Sequence, residues 1–70
     1  GNADPEAARL GIYDATGRLV KSFRISPYAL RITLSWDGRD DLGRAVPNGV
    51  YFIEFIAGAY QQVEKAVILK

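Results

Sequence analysis

Three carboxylates crowd one short stretch of this chain. Asp37, Asp40 and Asp41 fall within WDGRDDLG, residues 36–43. Hard oxygen ligands at this density could hold a calcium ion. The spacing argues against it, because an EF-hand loop alternates its acids and closes on a glutamate that has no counterpart here. The same residues serve turns. Asp37-Gly38 ends a strand and Asp41-Leu42-Gly43 reverses the chain, with aspartates accepting bonds from nearby backbone N–H groups. Pro47-Asn48-Gly49 makes a third turn. We read the whole stretch as turns, with no metal and no other cofactor.

Catalysis would need a base that is missing. The sequence has no His and no Cys. Thr16, Ser22, Ser26 and Ser35 therefore have no imidazole to activate them, and disulfides and thiolate metal sites are excluded. A carboxylate pair would need a cleft. Seventy residues folded as one small domain leave little room for one. The expectation is a protein that is not an enzyme and has no small-molecule substrate.

Charge narrows the partners. The formal net charge is +1. Residues 1–35 carry five basic and three acidic groups and residues 36–70 carry four basic and five acidic groups. No dense Lys/Arg cluster marks a phosphate-binding surface, so nucleic acid is not an expected partner. No apolar run has the length of a membrane span, and no signal-peptide pattern is seen. A mature trimmed chain or the end of a longer precursor is expected.

The elements that must position these turns read as strands. Residues 1–8 form a lead-in, with a helix-start pattern at Asp4-Pro5-Glu6. Residues 9–70 form one domain. From Arg9 the period is two, with Leu10 and Ile12 on one face and Arg9, Gly11 and Tyr13 on the other. Asp14–Gly17 is a turn. In RLVKSFRI the residues Leu19, Phe23 and Ile25 share the better apolar face, and Val20-Lys21 predicts a bulge. LRITLSW alternates cleanly, with Leu30, Ile32, Leu34 and Trp36 inward. VYFIEFIA is apolar on both faces except at Glu54, which suits a central strand. Gly58 marks a hairpin turn, and YQQVEKAVILK closes the chain as a docked strand. No helical heptad and no internal repeat is evident. The sum is an all-β, mostly antiparallel β-sandwich of five to six strands. Trp36 caps its core.

The order LGIYDATGRLVKSF, SWDGRDDLGRAVPNGVYFIEF, EKAVILK resembles the FlgD-like Ig family. It is especially similar to the C-terminal sorting domains of type IX secretion substrates. The resemblance covers residues 10–70. It implies an Ig-like sandwich at the end of an exported bacterial protein, read by the outer-membrane secretion machinery. Ile12, Tyr13, Asp14 and Gly17 would build the first hairpin. Trp36, Asp37, Gly38, Asp40 and Gly43 would build the long turn, and Gly49, Val50 and Tyr51 would start the central strand. Lys65, Val67, Leu69 and Lys70, in the family-like ending, would contact the secretion machinery.

Family members carry an earlier strand where this chain has GNADPEAA. A sandwich lacking that strand exposes an edge that invites a strand from another chain. Head-to-tail addition between copies would make a filament. A self-assembling extracellular subunit is therefore one alternative, and a flagellar hook-cap scaffold domain is another.

Overall fold

The computed structural model describes residues 8–25 and 35–70. The predicted helix start at Asp4-Pro5-Glu6 and most of the predicted Leu30–Trp36 strand lie outside those residues. Ser35 and Trp36 are described, and neither belongs to a strand.

The fold is all-β among the described residues. Four strands form one antiparallel sheet: β1 (Ala8–Asp14), β2 (Leu19–Ile25), β3 (Gly49–Ala57) and β4 (Tyr60–Ile68), in the order β2-β1-β3-β4. Of the five to six strands expected, these four are seen, and they share a single sheet. VYFIEFIA crosses the middle as expected, flanked by β1 and β4. β1 also has a neighbour on each side, so among the described residues it is not an edge strand.

Alternation decides which residues reach the core. On β1 and β3, Leu10 lies opposite Phe55, Ile12 opposite Ile53 and Asp14 opposite Tyr51. Ile12 is the most deeply buried side chain, and Val20, Val46 and Tyr51 complete the buried cluster. Leu10, Phe23, Trp36, Ile53 and Ile68 pack against it. The opposite face shows Tyr13, Phe52, Glu54 and Ile56. Gly11 leaves the Tyr13 ring room to lie across it, since a Cβ there would stand 3.0 Å from a ring carbon. The Tyr13 hydroxyl donates to Glu54 at 3.3 Å.

The predicted bulge is present. The β1–β2 register shifts between Ile12 and Tyr13, which lie opposite Lys21 and Leu19. Val20 is the extra residue, and it turns inward. This corrects one expectation: Leu19 is 49% exposed and on the outer face, while Val20 takes its place in the core. One inserted residue reverses the facing of what precedes it, because the strand period is two.

The chain's end is docked differently from its sequence pattern. Ala66 and Ile68 are half-buried, but Val67 and Leu69 are 58% and 82% exposed. Polar contacts hold the terminus instead. Lys70 N–H donates to Asn48 Oδ1 at 3.1 Å, and its ammonium donates to the Val46 carbonyl at 2.8 Å.

Candidate functional site

The acids at 37–41 do not converge. Asp37 Oδ1 accepts the Arg39 N–H at 3.0 Å, closing a small turn. Asp41 reaches away to β2, where its N–H donates to the Val20 carbonyl at 3.0 Å and its carboxylate pairs with Lys21 at 3.4 Å. Asp40 turns back on its own loop. Among the described residues no three acids come close enough to share a metal ion.

Asp40 has a counterpart. DATGRLV (residues 14–20) and DDLGRAV (residues 40–46) keep Asp, Gly, Arg and Val at the same offsets, and the two segments fold alike. In the first, Asp14 Oδ1 accepts the N–H groups of Thr16 and Arg18, both at 3.0 Å. The Gly17 N–H donates to the Asp14 carbonyl, and the Asp14 N–H donates to the Arg18 carbonyl. In the second, Asp40 Oδ1 accepts the N–H groups of Leu42 and Arg44, both at 2.9 Å. The Gly43 N–H donates to the Asp40 carbonyl, and the Asp40 N–H donates to the Arg44 carbonyl. Each arginine folds back on its aspartate, at 3.6 Å for Arg18–Asp14 and 3.1 Å for Arg44–Asp40. Gly17 and Gly43 both have left-handed backbones, φ +89° and +81°, a conformation that costs any residue with a Cβ. Val20 and Val46, six residues after each aspartate, enter the same core cluster.

So the chain reverses at Asp41-Leu42-Gly43 as expected, with Asp40 as the first residue of the turn, and the Arg39–Ala45 bridge closes it. Asp40, the first acid of the pair, caps the turn. Asp41 is released to tie the loop to β2. The repeat itself escaped the sequence reading because it spans only seven residues, too few to stand out as a structural repeat. The recurring Asp-x-x-Gly-Arg-x-Val was the signal. Val46 was likewise missed as a core residue, since it sits in a loop and not in an alternating run.

Both turn carboxyls are held below the ordinary value of 3.8. For Asp14 the Thr16 hydroxyl, which donates at 2.7 Å, is the largest cause, followed by the Arg18 N–H. For Asp40 the Arg44 N–H is the largest. Groups satisfied this way are ionised at neutral pH and act as acceptors, so they have no proton to give there. A cleft of about 510 Å³ separates the two turns, lined by Asp14, Arg18, Asp40, Arg44, Asn48 and Tyr51 among others. Its charged walls are already paired across each turn.

Trp36, Gly38, Gly49 and Tyr51 are tied into the turns and into β3. Trp36 Nε1 donates to the Arg39 carbonyl at 2.8 Å, and its ring meets Tyr51 edge-on at 5.6 Å. The Tyr51 hydroxyl donates to the Pro47 carbonyl at 2.6 Å. Gly38 is buried, and its carbonyl accepts the Val46 N–H at 2.9 Å. Gly49 opens β3. Lys65, Val67, Leu69 and Lys70 are all exposed. Lys65 and Val67 lie on β4, while Leu69 and Lys70 follow it.

The FlgD Ig-like domain profile matches residues 2–60 of this sequence. The chain belongs to the FlgD Ig-like domain family. No curated protein matches it, and no solved structure does. Both Asp-x-x-Gly-Arg-x-Val turns of this FlgD Ig-like domain fall inside the matched span, whereas β4 beyond Tyr60 falls outside it.

Proposed function

We propose that this chain is a non-catalytic scaffold module of the FlgD type, an Ig-like sandwich that serves protein assembly in the manner of a flagellar hook-cap domain. The family match over residues 2–60 carries this reading. The chemistry of the turns agrees with it. Asp14 and Asp40 are spent on backbone N–H groups and arginines, which suits carboxylates that build a framework. The partners are other protein subunits, and no cofactor is needed.

The test is replacement. The Ig-like domain of a FlgD hook-cap protein is exchanged for this chain, and hook assembly is scored by motility and electron microscopy. Restored hooks support the scaffold reading. Loss of hooks from a chimera that circular dichroism shows to be folded overturns it.

A second reading, a type IX sorting module at the end of an exported protein, rests on the exposure of Lys65, Val67, Leu69 and Lys70. Charge reversal at Lys65, which leaves the Lys70 contacts to Asn48 and Val46 intact, should then abolish export of attached cargo. Unchanged export sinks this second reading.

A further inference from the structure

The sheet has two outer strands, and they are finished differently. β2 carries the bulge at Val20. Its outward Val20 carbonyl accepts the Asp41 N–H at 3.0 Å, and its Ser22 N–H lies 3.5 Å from Asp41 Oδ1. A bulge and a covering loop are devices that block strand addition. β4 has neither. It pairs with β3 without a register shift over its whole length, from Tyr60 opposite Ala57 to Ile68 opposite Gly49. Among the described residues, no strand lies beyond it.

The hairpin fixes which backbone groups are free. Gly58-Ala59 is a two-residue turn with φ +59° at Gly58 and no positive φ at Ala59, the II′ form. Tyr60 and Ala57, which flank it, then exchange both ladder bonds, and bonded pairs alternate from there. Tyr60, Gln62, Glu64, Ala66 and Ile68 bond inward to β3. Gln61, Val63, Lys65 and Val67 point their N–H and C=O groups outward.

We infer that two copies of this chain pair β4 to β4, antiparallel, about a two-fold axis through Val63. The side chains select both the partner and the register. A two-fold axis normal to the sheet places one residue opposite itself. Centred on Glu64 it would set Glu against Glu, and centred on Lys65 it would set Lys against Lys, both unfavourable when directly opposite. Centred on Ala66 it would set Glu64 against Ile68 and Lys65 against Val67. Centred on Val63 it sets Val63 against Val63, Gln61 against Lys65 on one face and Gln62 against Glu64 on the other. Each charge then meets an amide that can donate or accept as needed. Gln62 already donates to Glu64 at 2.8 Å within one strand, so the pair is chemically compatible. Val63, 52% exposed in the single chain, is covered by its symmetry mate. The result is one continuous eight-stranded sheet whose outer strands are the two bulged, covered β2 strands. Such a contact is isologous and closes at two copies, unlike the head-to-tail filament expected from a lead-in edge. The inference does not depend on the scaffold reading.

Because the chain has no cysteine, single replacements report the register directly. Val63→Cys, Gln61→Cys, Lys65→Cys and Val67→Cys are each made in the 70-residue chain and air-oxidised. In the Val63 register, opposed Cα atoms at residue 63 are about 5.5 Å apart, within disulfide reach. Residues 61 and 65 stand ~13 Å from their own mates. The expected result is covalent dimer at residue 63 at least ~10-fold faster than at the other three positions. Sedimentation equilibrium of the unmodified chain should show a dimer, and Val63→Lys should return it to monomer with unchanged circular dichroism. A monomer at all concentrations up to ~1 mM, mass growing without limit, or fastest cross-linking at another position would each overturn the inference. Should Val63→Lys fail to fold, the cysteine series decides.

Discussion

The chain turns twice on the same residue types, and the two turns are given different work. DATGRLV joins neighbouring strands inside a hairpin, β1 to β2. DDLGRAV lies in the long connection between β2 and β3. It folds as a small closed loop, bridged at Arg39–Ala45, and lays Val46 against the same cluster that Val20 enters from β2. The backbone bonds follow the same pattern. The placement of the two turns in the molecule differs at the residue after the aspartate. Ala15 is exposed and has no polar side chain, whereas the Asp41 carboxylate pairs with Lys21 at 3.4 Å and lies 3.5 Å from the Ser22 N–H, tying the second loop to β2. A short segment can therefore specify its own turn completely and still leave its place in the molecule to one neighbouring side chain.

If the two valines are equal partners in one core, Val20→Ala and Val46→Ala should each cost about 2 kcal/mol in chemical denaturation, the transfer loss plus the cavity left behind. A near-zero cost at Val46 would break the equivalence and reduce the second segment to a surface loop. Gly17→Ala and Gly43→Ala should each cost about 1–2 kcal/mol, because a Cβ is disfavoured at left-handed φ. Neither site has an atom within 4 Å of the added carbon, so no clash should widen the gap between them.

Tyr51→Phe sharpens the contrast, since its hydroxyl anchors only the chain following the second turn, at the Pro47 carbonyl. A loss of about 1 kcal/mol is expected. The smallest effect concerns Thr16, whose hydroxyl has no equivalent at Leu42. Removing it in Thr16→Val should raise the Asp14 carboxyl toward its ordinary value and leave Asp40 unmoved, as read by NMR titration. Both carboxyls have folded values below 3.8. Their contribution to stability is thus complete above the unfolded value and lost as pH falls through the folded one. Unfolding midpoints should hold steady near neutrality and drop below about pH 4, and the first turn of Thr16→Val should contribute less to that drop.

Much of this was legible beforehand, for local reasons. The alternation of Leu10 and Ile12, the bulge at Val20-Lys21 and the central place of VYFIEFIA all follow from a period of two and its interruptions. The direction of the bulge did not. Sequence placed Leu19 inward, and the sheet chose Val20, because only pairing with β1 shows which residue is the extra one. The closing strand is expected to be docked, and its end is. Val67 is nonetheless exposed because it lies opposite Val50, on the face away from the buried cluster that Tyr51 enters.

The sequence by itself determined the turns. Each aspartate bonds to N–H groups two and four residues ahead and each glycine supplies a left-handed φ, so seven residues contain everything those turns require. Tertiary structure decided what the turns are for: that Val46 reaches the core, that Asp41 covers one edge of the sheet, and that β4 is the other outer strand among the described residues. Those outcomes depend on contacts between residues far apart in the chain, and no local pattern carries that information.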